Sequence, residues 1–335
     1  MSPEAFGDEA DDKRFDRPRR STRPRTKTRP TFAEAVSGFV VTVDRGRLTV
    51  SLSGADGAHP VYAVKARSLG RKGVVVGDRV RVVGDTSGDD GALARIVEVD
   101  ERTTVLRRSA DDGDAVERIL VANATQLVIV ASVADPPPRP RLIDRCLVAA
   151  YAARMRPLLC LTKSDLADPD ELLGIYRALG VSSVVTRRGG DLDVVVERLR
   201  DEVSVLVGHS GVGKSTLVNA LVPGAARSTG VVNAVTGRGR HTSTSAYALE
   251  LPGGGRVVDT PGIRSFGLAH VDVQDLIGAF EDLELISRDC PRGCTHAGSE
   301  PECALDEAVR DGRVDAARVD SFRRLLQSKE SAGSD

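Results

Sequence analysis

The rhythm of apolar and polar positions changes character several times along the chain. Residues 1–34 hold little to bury: an acidic start (Glu4, Asp8, Glu9, Asp11, Asp12) gives way to a proline-spaced basic stretch, KRFDRPRRSTRPRTKTRP, from Lys13 to Pro30. Such a composition cannot offset the entropy of ordering, so a disordered basic tail is expected there. From about Val36 to Val105 the pattern turns into short β-branched runs, GFVVTVD, RLTVSLSG, YAVKARS, GDRVRVVGD and ARIVEVD, parted by Gly and Asp breakers. These runs predict a small barrel of the OB type, and a generic β-domain satisfies the same periodicity.

Between about Ala115 and Gly267 apolar runs alternate with helix-like segments. Leu127–Val133, Pro157–Leu161, Val203–Val207 and Arg256–Val258 read as strands, while RLIDRCLVAAYAAR and DELLGIYRALG read as helices. That alternation predicts an α/β domain with a doubly wound, mostly parallel sheet. Beyond residue 270 come a helical segment, a Cys/His cluster and a polar helical tail from Leu305 to Leu326, with an interruption at Asp311-Gly312. The expected division is therefore 1–34, 35–108, 109–270 and 271–335.

Bulk properties narrow the picture. A chain of 335 residues exceeds the roughly 250 at which single cores stop growing, so several modules are expected. Lys+Arg at 47 against Asp+Glu at 48 leaves a net charge of -1, so any pull towards nucleic acid is local, as in the basic tail, where Arg suits phosphate contact. The longest apolar run, Leu127 to Ala134, is far shorter than the ~18–20 residues that cross a bilayer, and the first residues are charged; a cytoplasmic protein with no membrane partner is expected. Aromatic residues make up 3% of the chain and Trp is absent, so RNA would be gripped through its backbone and shape rather than by stacking.

The strongest local signal is Gly208-His209-Ser210-Gly211-Val212-Gly213-Lys214-Ser215-Thr216, after the apolar run VSVLV and before the helix-like TLVNALV. It satisfies GxxxxGK[ST] in its required strand-loop-helix context. Successive backbone N–H groups turn onto phosphates, Lys214 adds charge at the β and γ positions, and Ser215 is the expected Mg²⁺ ligand. Asp259-Thr260-Pro261-Gly262 follows a short strand as a DxxG motif does: Asp259 would hold the Mg²⁺ shell through water and the Gly262 N–H would sense the γ-phosphate. Thr162-Lys163-Ser164-Asp165 matches a base-reading [NT]KxD element, in which Asp165 accepts two hydrogen bonds that guanine offers and adenine does not, and Lys163 lays its stem along the base. Thr162 stands where Asn is commonest. The three motifs run in a shuffled order, base-reading element first, yet all sit at strand ends, where ligands gather whatever the connection.

On these motifs, and on the VGDRV turn at Val76–Val80, the chain resembles the RsgA (YjeQ) family of circularly permuted GTPases dependent on the small ribosomal subunit. The resemblance implies an N-terminal OB-fold, a permuted P-loop GTPase domain and a C-terminal zinc domain, with the 30S subunit and its 16S rRNA as partners and GTP/GDP, Mg²⁺ and one Zn²⁺ per chain as cofactors. It also implies action late in subunit maturation; a monomer, the default for a ribosome-bound factor, and no DNA partner are expected. Gly237-Arg238-Gly239-Arg240-His241-Thr242-Ser243-Thr244 is similar to the family's switch I segment, which makes Thr242 the expected hydroxyl on Mg²⁺ and γ-phosphate, with Thr244 second. Ile263 stands where many GTPases carry a water-orienting glutamine. His241 is the implied replacement, an RNA contact or a solvated loop residue being its other reading. Ile263 also leaves open a non-catalytic, GTP-switched rRNA-binding chaperone.

Cys290-x3-Cys294-x-His296-x6-Cys303 supplies three thiolates and an imidazole, enough for a closed tetrahedral Zn²⁺ site of structural type. The family spacing is C-x4-C-x-H-x5-C, so the inner pair is displaced by one residue here. Cys146 and Cys160 lie in apolar contexts and are expected in the core.

Overall fold

Alternating inward apolar positions close the first strands into a barrel. In this computed structural model, which describes residues 33–44, 46–54, 57–70, 73–109, 117–223, 246–260, 266, 268, 271–298, 300 and 302–330, these are β1 (Val36–Asp44), β2 (Arg47–Gly54), β3 (Gly57–Lys65), β4 (Arg79–Gly84) and β5 (Ala94–Val99). They pair in the order β1-β2-β3-β5-β4, and β4 returns to β1. Only β3 and β5 run parallel. This five-stranded OB-like closure buries Val40, Leu48, Val50, Val61, Val80, Val82 and Ile96. A register shift between Val40 and Thr42 bends β1, which lets one strand serve both the barrel and the sheet beyond it. The expected tail, residues 1–34, lies almost wholly outside the described residues.

A hairpin that the apolar pattern had not announced, β6 (Val105–Ser109) and β7 (Glu117–Ala122), joins the barrel to the second sheet. The VGDRV turn docks against it. Gly77 sits at φ +92°, and a Cβ there would lie 1.9 Å from the Ala122 carbonyl oxygen, so neither the turn nor the contact admits a side chain. Asn123 Nδ2 donates to the Gly77 carbonyl at 2.9 Å. The buried Asp78 carboxylate accepts from Arg102 Nε at 2.7 Å and Nη2 at 2.8 Å, a bidentate pair inside the joint.

The second sheet contains β8 (Gln126–Ser132), β9 (Arg156–Thr162), β10 (Ser182–Val185), β11 (Val203–Val207), β12 (Tyr247–Glu250) and β13 (Arg256–Asp259). The strands β10-β9-β8-β11-β13 are parallel, and antiparallel β12 connects β13 to β1, so the sheet runs on into the barrel. Every residue of β8 is buried. Its alternation divides them between two cores: Leu127, Ile129 and Ala131 join the side of α1 (Pro140–Ala152) and α2 (Asp170–Arg177), while Val128 and Val130 join that of α3 (Asp193–Leu199) and α4 (Lys214–Leu221). A strand covered on both faces reads as a continuous apolar run. Cys146 and Cys160 lie in these cores, where burial pushes each thiol up to about 12.

The C-terminal elements are α5 (Val273–Ile277), α6 (Glu281–Ser287), α7 (Ala304–Arg310) and α8 (Ala316–Glu330), with the break after Arg310 where Asp311-Gly312 suggested one. The expectation of a polar tail is corrected for α8. Val319, Phe322 and Leu325 are buried in the same core as Ile143 and Leu147 of α1, and Phe280 sets its ring edge-on between Tyr151 at 4.9 Å and Phe322 at 5.7 Å. Among the described residues no helix is long and apolar enough to cross a membrane.

One ion pair crosses this helical joint. Arg324 Nε donates at 3.0 Å to Asp144, which is 2% exposed, and the guanidinium lies over the Tyr176 ring. Burial raises the Asp144 pKa, and Arg324 opposes that rise. Arg324→Ala is expected to lower the unfolding free energy by about 3 kcal/mol, since it strands a buried carboxylate, and the double variant Asp144→Leu/Arg324→Met is expected to recover most of the loss. Urea unfolding of the three proteins measures both effects.

Candidate functional site

In a parallel sheet all the strand carboxyl ends share one edge. The loops after β8, β9, β10, β11 and β13 therefore open on the same side, and the chain order reverses between β8 and β11, the place where such sheets bind ligands. The glycine-rich loop leaves β11 at this point. A Cβ on Gly208 would lie 2.4 Å from the Val130 carbonyl oxygen, so glycine lets the loop start hard against β8. Val212 is buried beneath the loop, Lys214 opens α4, and Ser215 and Thr216 are exposed on its first turn. His209, which is half-buried, turns its Nδ1 to the Ser210 carbonyl at 2.8 Å.

The element Thr162–Asp165 comes from the end of β9, two strands away. Thr162 Oγ1 donates to the Val212 carbonyl at 2.6 Å, a direct bond from this element to the glycine-rich loop. The threonine hydroxyl thus reaches the loop that an asparagine amide would be expected to contact. Lys163, at φ 60°, sends its ammonium to the Asp135 carbonyl in the loop after β8. Asp165 is exposed in the turn three residues after Thr162. The loop after β10 stands beside them: Ser164 N–H donates to the Thr186 carbonyl at 3.2 Å, and Thr186 N–H to Leu161 at 2.7 Å. The sequence reading missed this Thr186–Gly190 loop, which carries no motif of fixed spacing.

Asp259 ends β13 and is buried. Lys214 Nζ lies 3.6 Å from its Oδ1 and 3.4 Å from the Thr260 carbonyl. Asp259 Oδ1 is buried without a hydrogen-bond partner. The Asp259 carboxylate beside the glycine-rich loop and the exposed Ser215 hydroxyl on the next turn are oxygen ligands of the kind a hydrated divalent cation takes. Thr260 Oγ1 is taken up by the Leu206 carbonyl at 2.8 Å. His241, Thr242, Thr244, Gly262 and Ile263 lie outside the described residues.

Cys290, Cys294, His296 and Cys303 converge with their ligand atoms all within 4.8 Å of one another. The three sulfurs stand 3.6, 3.4 and 3.8 Å from His296 Nδ1. A tetrahedral zinc ion with standard bond lengths sets sulfur and nitrogen about 3.5 Å apart, so the group fits that metal through Nδ1. None of the five cysteines is in a disulfide. Ala304 N–H donates to Cys290 Sγ at 3.2 Å, while Arg323 on α8 holds the His296 carbonyl at 3.0 Å and Asp306 at 2.8 Å. These bonds orient the ligands from outside. The displaced spacing of the inner pair does not prevent closure.

Residues 99–269 match the RsgA GTPase family. The chain belongs to that family. The RsgA of Chlorobaculum parvum, a small ribosomal subunit biogenesis GTPase, is 37% identical over 88% of this chain and 98% of its own length. The protein of the same name from Ectopseudomonas mendocina is 41% identical over 76% of this chain and 75% of its own. Two crystal structures are similar throughout. YjeQ from Thermotoga maritima has a TM-score of 0.65 and 26% identity, covering 90% of this chain and 99% of that one. YloQ, a circularly permuted GTPase, has a TM-score of 0.64 and 25% identity, covering 88% and 96%. An RsgA fold accounts for the OB-like barrel, the shuffled motif order and the C-terminal Cys/His module together.

Protein purified without added metal is expected to carry about one zinc per chain, and Cys303→Ser to lose most of it; elemental analysis decides. Thr162→Val keeps the side-chain volume but leaves the Val212 carbonyl without its donor. It is expected to cost about 1–3 kcal/mol of stability and to weaken GTP binding, as read by thermal unfolding and nucleotide titration.

Proposed function

We propose that this protein is a GTP hydrolase acting in biogenesis of the small ribosomal subunit, with hydrolysis stimulated by the 30S particle and timing release from it during late maturation. The observation that carries the nucleotide reading is the bond from Thr162 to the Val212 carbonyl, because it joins the proposed guanine reader to the proposed phosphate loop across two strands. The names of the curated relatives support the ribosomal part.

In this reading, the amides of Gly208–Thr216 and the ammonium of Lys214 hold the phosphates, and Asp165 accepts from the guanine edge with Thr162 and Lys163 fixing its turn. The Thr186–Gly190 loop borders the base. Ser215 and Thr242 ligate Mg²⁺ and Asp259 holds its water shell, while the Gly262 N–H meets the γ-phosphate. A bound Mg²⁺ would neutralise charge on the phosphates. His241 positions the attacking water, since Ile263 offers no group to do so.

The division 35–108, 109–270 and 271–335 assigns rRNA contact to the barrel and to the zinc-holding module, aided by the basic residues 1–34, with 16S rRNA as the surface met by a cytoplasmic monomer. Ile263 favours one other reading, an assembly chaperone whose nucleotide only sets its shape.

GTP turnover measured with and without purified 30S subunits separates the two. Stimulation of tenfold or more, on the order of what an ordered catalytic loop supplies, is expected for the hydrolase, and equal rates would favour the chaperone. Asp165→Asn is expected to weaken GTP binding by at least about tenfold through loss of a charged acceptor, with ATP still excluded. Undiminished GTP affinity would remove Asp165 from the site.

A further inference from the structure

Tyr247 opens β12 and lies directly opposite two residues in the sheet, Asp259 on β13 and Thr42 on β1 of the barrel. Cross-strand partners point to the same face, so one row runs from the barrel through Tyr247 to the DxxG carboxylate. The Tyr247 hydroxyl donates to Asp259 Oδ2 at 3.0 Å, while the other oxygen, Oδ1, stays buried without a hydrogen bond and 3.6 Å from Lys214 Nζ. The tyrosine bond thereby fixes the rotation of the carboxylate, with Oδ2 taken and Oδ1 on the side of Lys214 and the glycine-rich loop. Two further contacts fix the same hairpin against the barrel. Ser51 Oγ donates to Glu250 Oε1 at 3.2 Å, and the Arg256 guanidinium lies over the Phe39 ring at 4.4 Å.

We propose that Tyr247 is a positioning residue for the cation site: its hydroxyl occupies Asp259 Oδ2 so that Oδ1 remains presented to hydrated Mg²⁺, and the barrel strand β1 holds Tyr247 in register. The proposal rests on the reading of Asp259 as the carboxylate of the Mg²⁺ shell. It gives the barrel a mechanical share in the nucleotide site.

Tyr247→Phe keeps the ring and removes the bond. The test is equilibrium binding of a fluorescent, non-hydrolysable GTP analogue to the full chain across a MgCl₂ series and in EDTA, with thermal unfolding in parallel. The magnesium concentration giving half of the affinity gain is expected to rise about three- to tenfold in the variant, the range for the net worth of one ordinary hydrogen bond. Affinity in EDTA and the unfolding midpoint are expected to stay close to wild type. Superimposable magnesium curves would overturn the proposal, as would an equal loss of affinity with and without magnesium, which marks the residue as packing alone. A wild-type protein that binds no analogue would instead overturn the nucleotide reading itself.

Discussion

A threonine hydroxyl meeting a carbonyl in the glycine-rich loop, Thr162 to Val212, is the contact on which the proposed nucleotide site depends. The two segments come from strands that are not neighbours, and β8 lies between them. Their meeting requires that β8, β9 and β11 run parallel in register, which in turn requires β8 to be buried on both faces. The apolar run QLVIVAS therefore does more than fill a core. It sets the separation of the two loops that the site needs, and the shuffled chain order becomes immaterial because all the loops leave the same edge.

The barrel and the C-terminal helices are tied to this sheet by different chemistry. At the barrel, pairing of β1 with β12 and the bond from Asn123 to the Gly77 carbonyl are polar and directional. At the other joint, α8 packs apolar side chains on α1 and adds neighbouring arginines with opposite duties: Arg323 reaches the Cys/His loop, and Arg324 reaches Asp144. The Cys/His loop and the core of the sheet thus share one helix.

Much of this was legible in the sequence because chemistry that handles phosphate, guanine or zinc demands particular residues at fixed spacing. The glycine-rich loop, Thr162–Asp165 and the Cys/His set all announce themselves in this way. The strands β8, β9 and β11 were visible as buried runs, within a residue or so at their ends. The hairpin β6–β7 and the short strand β12 were not, since short strands with mixed polarity lack a clear period. Helix α8 was read as polar because charged residues crowd its exposed face, although Val319, Phe322, Leu325 and Leu326 recur at helical spacing. Tyr247 carried no signal at all, for its partner is fixed by pairing across the β12–β13 hairpin and not by any local pattern.

The return of α8 onto α1 also bears on how the chain is made. Ile143 and Leu147 are synthesised well before the side chains that cover them, Val319, Phe322 and Leu325. A growing polypeptide therefore carries an uncovered oily face on α1 until Ala316–Glu330 has been translated.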